Sequence, residues 1–121
     1  APKALAAATR APQHPGVLFR RAVFVPTSAK FAGQNVNALM LHVTDARVYQ
    51  PFATGLYLLD QARRQAGFAW LPPAEDGGWH IDHLLGTDAF RRGMSARELI
   101  AAHAPRVKAF GEQAREWFLY E

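Results

Sequence analysis

The sequence predicts an α+β fold, a small mixed or antiparallel sheet covered by two or three helices, and three observations carry that reading. Residues 17–25 (VLFRRAVFV) and 38–43 (ALMLHV) are rich in branched and aromatic side chains and read as strands. Apolar residues recur at helical spacing after Pro51, and Ser95 with Glu98 forms an S-x-x-E capping box that opens another helix. The chain has 121 residues, half of them hydrophobic and a fifth charged, which fits a single domain with enough apolar surface to offset the entropy of ordering it.

Lys3 to Thr9 is alanine-rich and suits a turn or two of helix, which Pro12, Pro15 and Gly16 then break. Residues 1–16 therefore read as a linker or truncated helix, and residues 17–121 as the domain. Neither strand candidate alternates cleanly, which predicts partial burial on both faces. Between them, residues 26–37 (PTSAKFAGQNVN) have the composition of a long ordered loop, and such loops are disproportionately functional.

Pro51 fits the first turn of a helix whose apolar stripe is Phe52, Leu56, Leu59, Ala62 and Ala66, with Gly67 as its stop. Residues 68–71 suit a short strand and 72–78 a surface turn. Thr87 is placed to cap a short helix running through Arg92, with Gly93 at its end. The helix opened by Ser95 has Leu99, Ile100, Val107 and Phe110 as its inward face, and Pro105 should kink or divide it. Trp117, Phe118 and Tyr120 are too apolar for a free tail and are expected to dock on the domain or to form a final strand.

Several function classes drop out. The absence of cysteine removes disulfides, thiolate metal sites and thiol nucleophiles. No apolar run of roughly 18 residues is present, and the first 16 lack the pattern of a secretory signal, so no membrane association is expected. The formal charge of +4 comes almost wholly from arginine, with pairs at Arg20-Arg21, Arg63-Arg64 and Arg91-Arg92. These read as solvated arginines that attract anions in general; they form no stripe, so nucleic acid is not an expected partner. There is no phosphate loop and no nucleophile elbow.

His80, Asp82 and His83 (WHIDH) are metal-ligand types, but no third ligand follows at a recognisable spacing, so no metal and no cofactor is assigned. Asp82 reads as a turn cap, and Asp45 as a turn acceptor after the second strand. His42 is either a partly buried strand residue or a cleft residue able to contact a sugar. Glycosidases need two positioned carboxyl groups, and no pair of that spacing stands out among the ten acidic residues. No catalytic residue is assigned.

The 26–33 loop is the most informative stretch. Lys30 is a flexible cation suited to a carboxylate, Thr27 and Ser28 offer hydroxyls, and Phe24 or Phe31 can stack on a sugar face.

At this loop the sequence also resembles a known family. PGVLFRRAVFVPTSAKFAG, LHVTDARVYQPFATGLYLL, IDHLLGTDAFRRGMSARELI and the closing EWFLYE are similar, in unbroken order, to the C-terminal domain of the peptidoglycan exo-β-N-acetylmuramidases, formerly a domain of unknown function. Members carry a pattern like F-x-P-T-x-S-K-Y-x-G followed by C-G-G. Phe24, Pro26, Thr27, Lys30 and Gly33 match it, whereas Ala29 stands for the serine, Phe31 for the tyrosine, and Val36, Asn37 and Ala38 for Cys-Gly-Gly.

The resemblance implies a glycoside hydrolase that removes N-acetylmuramic acid from the non-reducing ends of peptidoglycan fragments. Its catalytic residues lie in an N-terminal Rossmann-like domain that this chain lacks, and the C-terminal domain completes the cleft. The implied partners are that catalytic domain and peptidoglycan-derived sugars, in a parent protein that is periplasmic or secreted, with a cytoplasmic setting left open. The substrate-binding expectations are Phe24, Thr27, Ser28, Lys30, Gly33 and His42. The competing reading is a non-catalytic module that binds muropeptides or a partner protein.

Overall fold

The computed structural model describes residues 14–75 and 77–119, so the alanine-rich segment expected at Lys3 to Thr9 lies outside the described residues. Among the described residues a two-stranded antiparallel sheet and three α-helices make this an α+β fold, as the sequence predicts. It divides into two compact units, Ala1–Phe68 and Ala69–Glu121.

The first unit is a hairpin followed by a helix. Strand β1 (Val17–Phe24) pairs with β2 (Val36–Val43) in a register that sets Val17 opposite Val43 and Phe24 opposite Val36. The second strand thus begins two residues before the expected Ala38, because Val36 and Asn37 continue the ladder. A turn held by Gly16 closes the other end: its carbonyl accepts hydrogen bonds from the amides of Thr44 and Asp45, at 2.8 and 3.3 Å. Gly16 has a φ of 72°, and a Cβ there would overlap the Asp45 carbonyl. Both demands select glycine.

Helix α1 (Pro51–Arg63) starts with Pro51 in its first turn and stops before Gly67, whose φ is 80°. Its buried residues are Ala53, Thr54, Leu56 and Asp60. Phe52, expected inside, is 52 % exposed. The inward face is rotated because it includes a carboxylate, which a count of apolar residues skips. Asp60 is buried with Arg63 and Arg64 on it, at 2.6 and 3.1 Å, so its charge is paired where it is desolvated. His14 lies edge-on to both Phe19 of β1 and Tyr57 of α1, at centroid distances of 5.1 and 5.7 Å, and so ties strand to helix.

Residues 68–71, the last residue of the first unit and the start of the second, form no strand; Trp70 instead sets its ring against that of the fully buried Phe90. The short helix falls earlier than expected. Helix α2 spans His80–Leu85 and ends on Gly86 in the left-handed conformation. Thr87 does accept a hydrogen bond from the Ala89 amide, but residues 87–93 are a succession of turns. A cap removes one unsatisfied donor; it does not propagate a helix without an apolar face to bury.

The capping box at Ser95 forms as predicted, with the Glu98 amide donating to the serine hydroxyl oxygen and the Ser95 amide to the Glu98 carboxylate. Helix α3 (Ala96–Ala114) runs through Pro105 undivided, and residues 115–117 finish it as a 3₁₀ turn. Ala96 and Leu99 are buried, whereas Val107 and Phe110, expected to face inward, are about two-thirds exposed. Trp117 and Phe118 are exposed as well rather than docked or in a strand, and Tyr120 lies outside the described residues. Burial in α3 is confined to its first turns, at Ala96 and Leu99. Among the described residues no helix is long and apolar enough to cross a membrane.

Candidate hairpin binding site

Residues 25–35 join the two strands and carry four of the six expected site residues, Thr27, Ser28, Lys30 and Gly33, all of them exposed. The loop is ordered by its own backbone. The Gly33 amide donates to the Pro26 carbonyl at 2.9 Å, the Gln34 amide to Phe31 at 3.1 Å, and the Ala32 amide to Ala29 at 3.3 Å. Three of its residues take left-handed φ values: Ala29 at 61°, Phe31 at 66° and Gly33 at 74°. Glycine does so freely, but Ala29 and Phe31 each store about 1–2 kcal/mol of steric strain. Strain of this kind persists where the surrounding structure imposes it, and it gathers at binding sites.

The strained loop also holds its side chains out. The Lys30 ammonium sits 5.3 Å from the centre of the Phe31 ring, a cation–π contact that limits where the charge can go. Phe31 and Phe24 are each about half exposed. An aromatic face and a cation therefore stand together at the Phe24 end of the hairpin.

His42 does not join them. It pairs with Leu18 at the opposite end of the sheet, six residues along β2 from Val36. At about 3.3 Å per residue that places it roughly 20 Å from the loop. It shares a sheet face with Phe24, since paired residues point the same way and alternate along each strand. On that face Arg20 donates to the Met40 sulfur at 3.3 Å. The expected constellation is thus a loop cluster of five residues, with His42 remote from it.

Charge is distributed unevenly. Residues 1–68 hold eight Lys or Arg and two Asp, a net charge of +6, while residues 69–121 hold six against eight acidic residues, a net charge of −2. Both acids of the first unit are already engaged. Asp60 is held by Arg63 and Arg64, and Asp45 by Arg47, whose side chain and backbone amide keep its carboxyl below the usual carboxylate value. The hairpin itself, residues 17–43, contains Arg20, Arg21 and Lys30 and no acidic residue. Among the described residues none of these three cations meets a carboxylate. Their field reaches an anion over roughly 8–10 Å in physiological salt.

In each of the other two arginine pairs one member, Arg64 or Arg92, is largely exposed as the sequence suggests, whereas the other, Arg63 or Arg91, is largely covered and paired with a carboxylate. Arg91 grips Asp82 at 2.7 Å, and Arg92 reaches Asp88 at 3.2 Å. The Arg91 guanidinium is raised above its ordinary pKa, chiefly by its hydrogen bonds to Asp82, and lies 4.6 Å over the Trp79 ring. Asp82 is therefore a salt-bridge partner rather than a turn cap. Among the described residues no three His, Asp or Glu side chains gather into a group that could hold a metal ion. Asp45 behaves as expected, accepting from the Arg47 amide two residues on.

A family model described as "Exo-beta-N-acetylmuramidase NamZ, C-terminal" matches residues 1–120. The chain belongs to this family. No curated protein and no solved structure matches it. The family's description places such a domain at the C-terminal side of a muramidase and so implies an N-terminal catalytic partner domain.

Within this NamZ-type domain, sequence reasoning missed two things. It did not see that Arg20 and Arg21 are the arginine pair left without carboxylates, although the absence of acids between residues 17 and 43 was there to count. It also missed that Ala29 and Phe31 are left-handed. No composition signal marks such residues, because alanine and phenylalanine are poor occupants of that conformation.

Proposed function

We propose that this domain forms one wall of the substrate cleft of a cell-wall glycosidase, where it receives the N-acetylmuramic acid at the non-reducing end of a peptidoglycan fragment. The observation that carries this reading is the hairpin loop, in which a cation, a half-exposed aromatic pair and two strained residues coincide on a surface free of acids. N-acetylmuramic acid has a lactyl ether whose carboxylate is anionic at neutral pH. Lys30 suits that carboxylate, with Arg20 and Arg21 adding attraction, and Phe24 or Phe31 suits the ring face. Thr27 and Ser28 supply hydroxyls for the sugar's own hydroxyl groups.

Hydrolysis itself belongs, in this reading, to the N-terminal partner domain. Five of the ten acidic side chains support that division. Asp45, Asp60, Asp82 and Asp88 are committed to arginines and Glu98 to the capping box, which leaves them ill placed as an acid and base flanking a glycosidic bond. The exposed apolar residues Val107, Phe110, Trp117 and Phe118 offer a surface for docking that partner. The setting that suits the substrate is the periplasm or the cell exterior.

The test is an NMR titration of the labelled chain with a disaccharide ending in N-acetylmuramic acid, following the amides of residues 27–37. Saturable shifts in that loop are expected, weakened about 2- to 5-fold by Lys30→Ala, the worth of an exposed ion pair. In the two-domain enzyme the same substitution should raise KM. Unchanged binding and unchanged KM in Lys30→Ala would remove the loop from the substrate site.

A further inference from the structure

The two strands of the hairpin have outer edges of different character. β1 carries Arg20 and Arg21, and charged side chains guard an open strand edge against pairing. β2 (VNALMLHV) has no Lys, Arg, Asp, Glu, Pro or Gly along its eight residues, and among the described residues no third strand pairs with it. The backbone shows which groups it leaves free. One step beyond the Val17–Val43 pair, the Thr44 amide donates to the Gly16 carbonyl, and hydrogen-bonded pairs alternate along an antiparallel ladder. Ala38, Met40 and His42 therefore bond inward to β1, whereas Asn37, Leu39, Leu41 and Val43 turn their N–H and C=O groups to the outer edge. Leu41 and Val43 are also 39 % and 52 % exposed. An uncharged edge of this kind is a template for another strand, and a two-stranded hairpin is too small to bury an apolar face by itself.

We propose that β2 pairs with β2 of a second copy of this chain, antiparallel about a two-fold axis at Met40, to make a four-stranded sheet. Two observations select a second copy. The strand is its own complement: an axis normal to the sheet keeps every side chain on its face, and centring it on Met40 sets Leu39 opposite Leu41 twice, Met40 opposite Met40 and Ala38 opposite His42. The outward backbone groups of Leu39 and Leu41, and of Asn37 and Val43, then exchange hydrogen bonds across the contact. The arginines also permit it. In this sheet the two β1 strands stand three strand spacings apart, about 14 Å, beyond the roughly 8–10 Å over which their charges act in physiological salt. Pairing through the β1 edges would instead put Arg20 and Arg21 of both copies on adjacent strands. One pair of strand edges lies at or below the roughly 1,200 Å² of the smallest stable interfaces, so the dimer is weak and forms at high concentration. This inference does not rest on the muramidase reading, and it leaves the two 25–35 loops at opposite ends of the sheet.

The chain has no cysteine, so a single introduced thiol reports what stands opposite it. In a non-hydrogen-bonded antiparallel pair the Cα atoms are about 4.5 Å apart, within reach of a disulfide. Met40→Cys should therefore give a covalent dimer under mild oxidation, whereas Val23→Cys, on the exposed β1 strand, should not. Sedimentation of the natural chain should show an apparent mass that rises from 13.4 kDa toward twice that value as the concentration nears millimolar. Leu41→Lys should move that rise to a concentration about tenfold higher or more while the amide spectrum stays folded. Should Leu41→Lys unfold, the two cysteine variants decide alone. A chain that stays monomeric at near-millimolar concentration, with Met40→Cys not cross-linked, would overturn the proposal and leave the edge to a strand of another protein. Equal cross-linking through Val23→Cys would overturn it as well, because the contact would then be random collision or a different face.

Discussion

In the second unit each arginine of the 91–92 pair meets a carboxylate, Ser95 and Glu98 close a capping box, and a glycine takes the left-handed position that ends α2. The hairpin of the first unit does the opposite, holding three cations without a carboxylate and giving left-handed positions to an alanine and a phenylalanine. Where local preferences, caps and charges agree, a segment needs no further reason to exist than stability. Where they conflict and the conflict persists, something other than stability maintains it. The comparison sets the Ser95 region, which is framework, against the 25–35 loop, which under the proposed function is the surface that meets the sugar.

The largest effect that would separate the two regions is on phenylalanines. Phe90 has no exposed surface, so Phe90→Ala should cost about 3–5 kcal/mol of unfolding free energy. Phe24 is half exposed at the end of β1, and Phe24→Ala should cost about 1 kcal/mol or less while weakening sugar binding. Urea unfolding of the two variants measures the contrast. Equal losses would mean that Phe24 is a core residue and that the hairpin end is not a binding surface.

Two glycines sharpen the same comparison within the first unit. Gly16 and Gly33 have nearly the same φ, but a Cβ at Gly16 meets the Asp45 carbonyl and at Gly33 meets nothing. Gly33→Ala should cost only the left-handed penalty, about 1–2 kcal/mol. Gly16→Ala adds the overlap and should cost more, about 2–4 kcal/mol, because a backbone carbonyl cannot swing aside as a side chain can. Circular dichroism melts of both variants read the difference directly, and a smaller loss at Gly16 would mean that the turn at residues 44–49 yields easily.

How far the sequence could take this reading follows from the same contrast. Both strands, the Pro51 helix and the Ser95 box were legible because each is written locally, in branched residues, in a proline at a first turn, and in a serine three residues before a glutamate. Phe52, Val107 and Phe110 were misplaced because helical spacing says which residues share a face, not which face has something to pack against. Asp60 rotated α1 by bringing its own arginines, a partnership that a hydrophobic count cannot register. At the site, residue types pointed to Lys30 and the loop. Only the register could show that His42 stands at the far end of the hairpin.

A third contrast uses pH. His14 is buried against Phe19 and Tyr57, its Nδ1 has no hydrogen-bond partner among the described residues, and burial lowers its pKa from 6.5. The unfolded chain therefore binds this proton more readily than the folded one. His14's contribution to stability is complete above pH 6.5 and is lost as pH falls through its lowered folded value. A denaturation series from pH 7.5 downward should show this decline, and His14→Phe should flatten it. A slope that survives in the variant would assign the acid sensitivity to other groups.

The smallest effect bears most directly on the loop. Ala29→Gly removes a left-handed penalty of about 1–2 kcal/mol but restores about 0.5–1 kcal/mol of backbone freedom to the unfolded chain. Stability should stay level or rise by up to about 1.5 kcal/mol. A framework residue would end the matter there. A binding loop should respond differently, because the added freedom relaxes the geometry that presents Lys30 beside Phe31, and ordering it again on contact with sugar opposes binding. The expected signature is a variant at least as stable as the natural chain that binds N-acetylmuramic acid less tightly. Loss of stability would show that residue 29 is not left-handed, whereas unchanged affinity at unchanged stability would mean that the strain at this position does not serve the ligand.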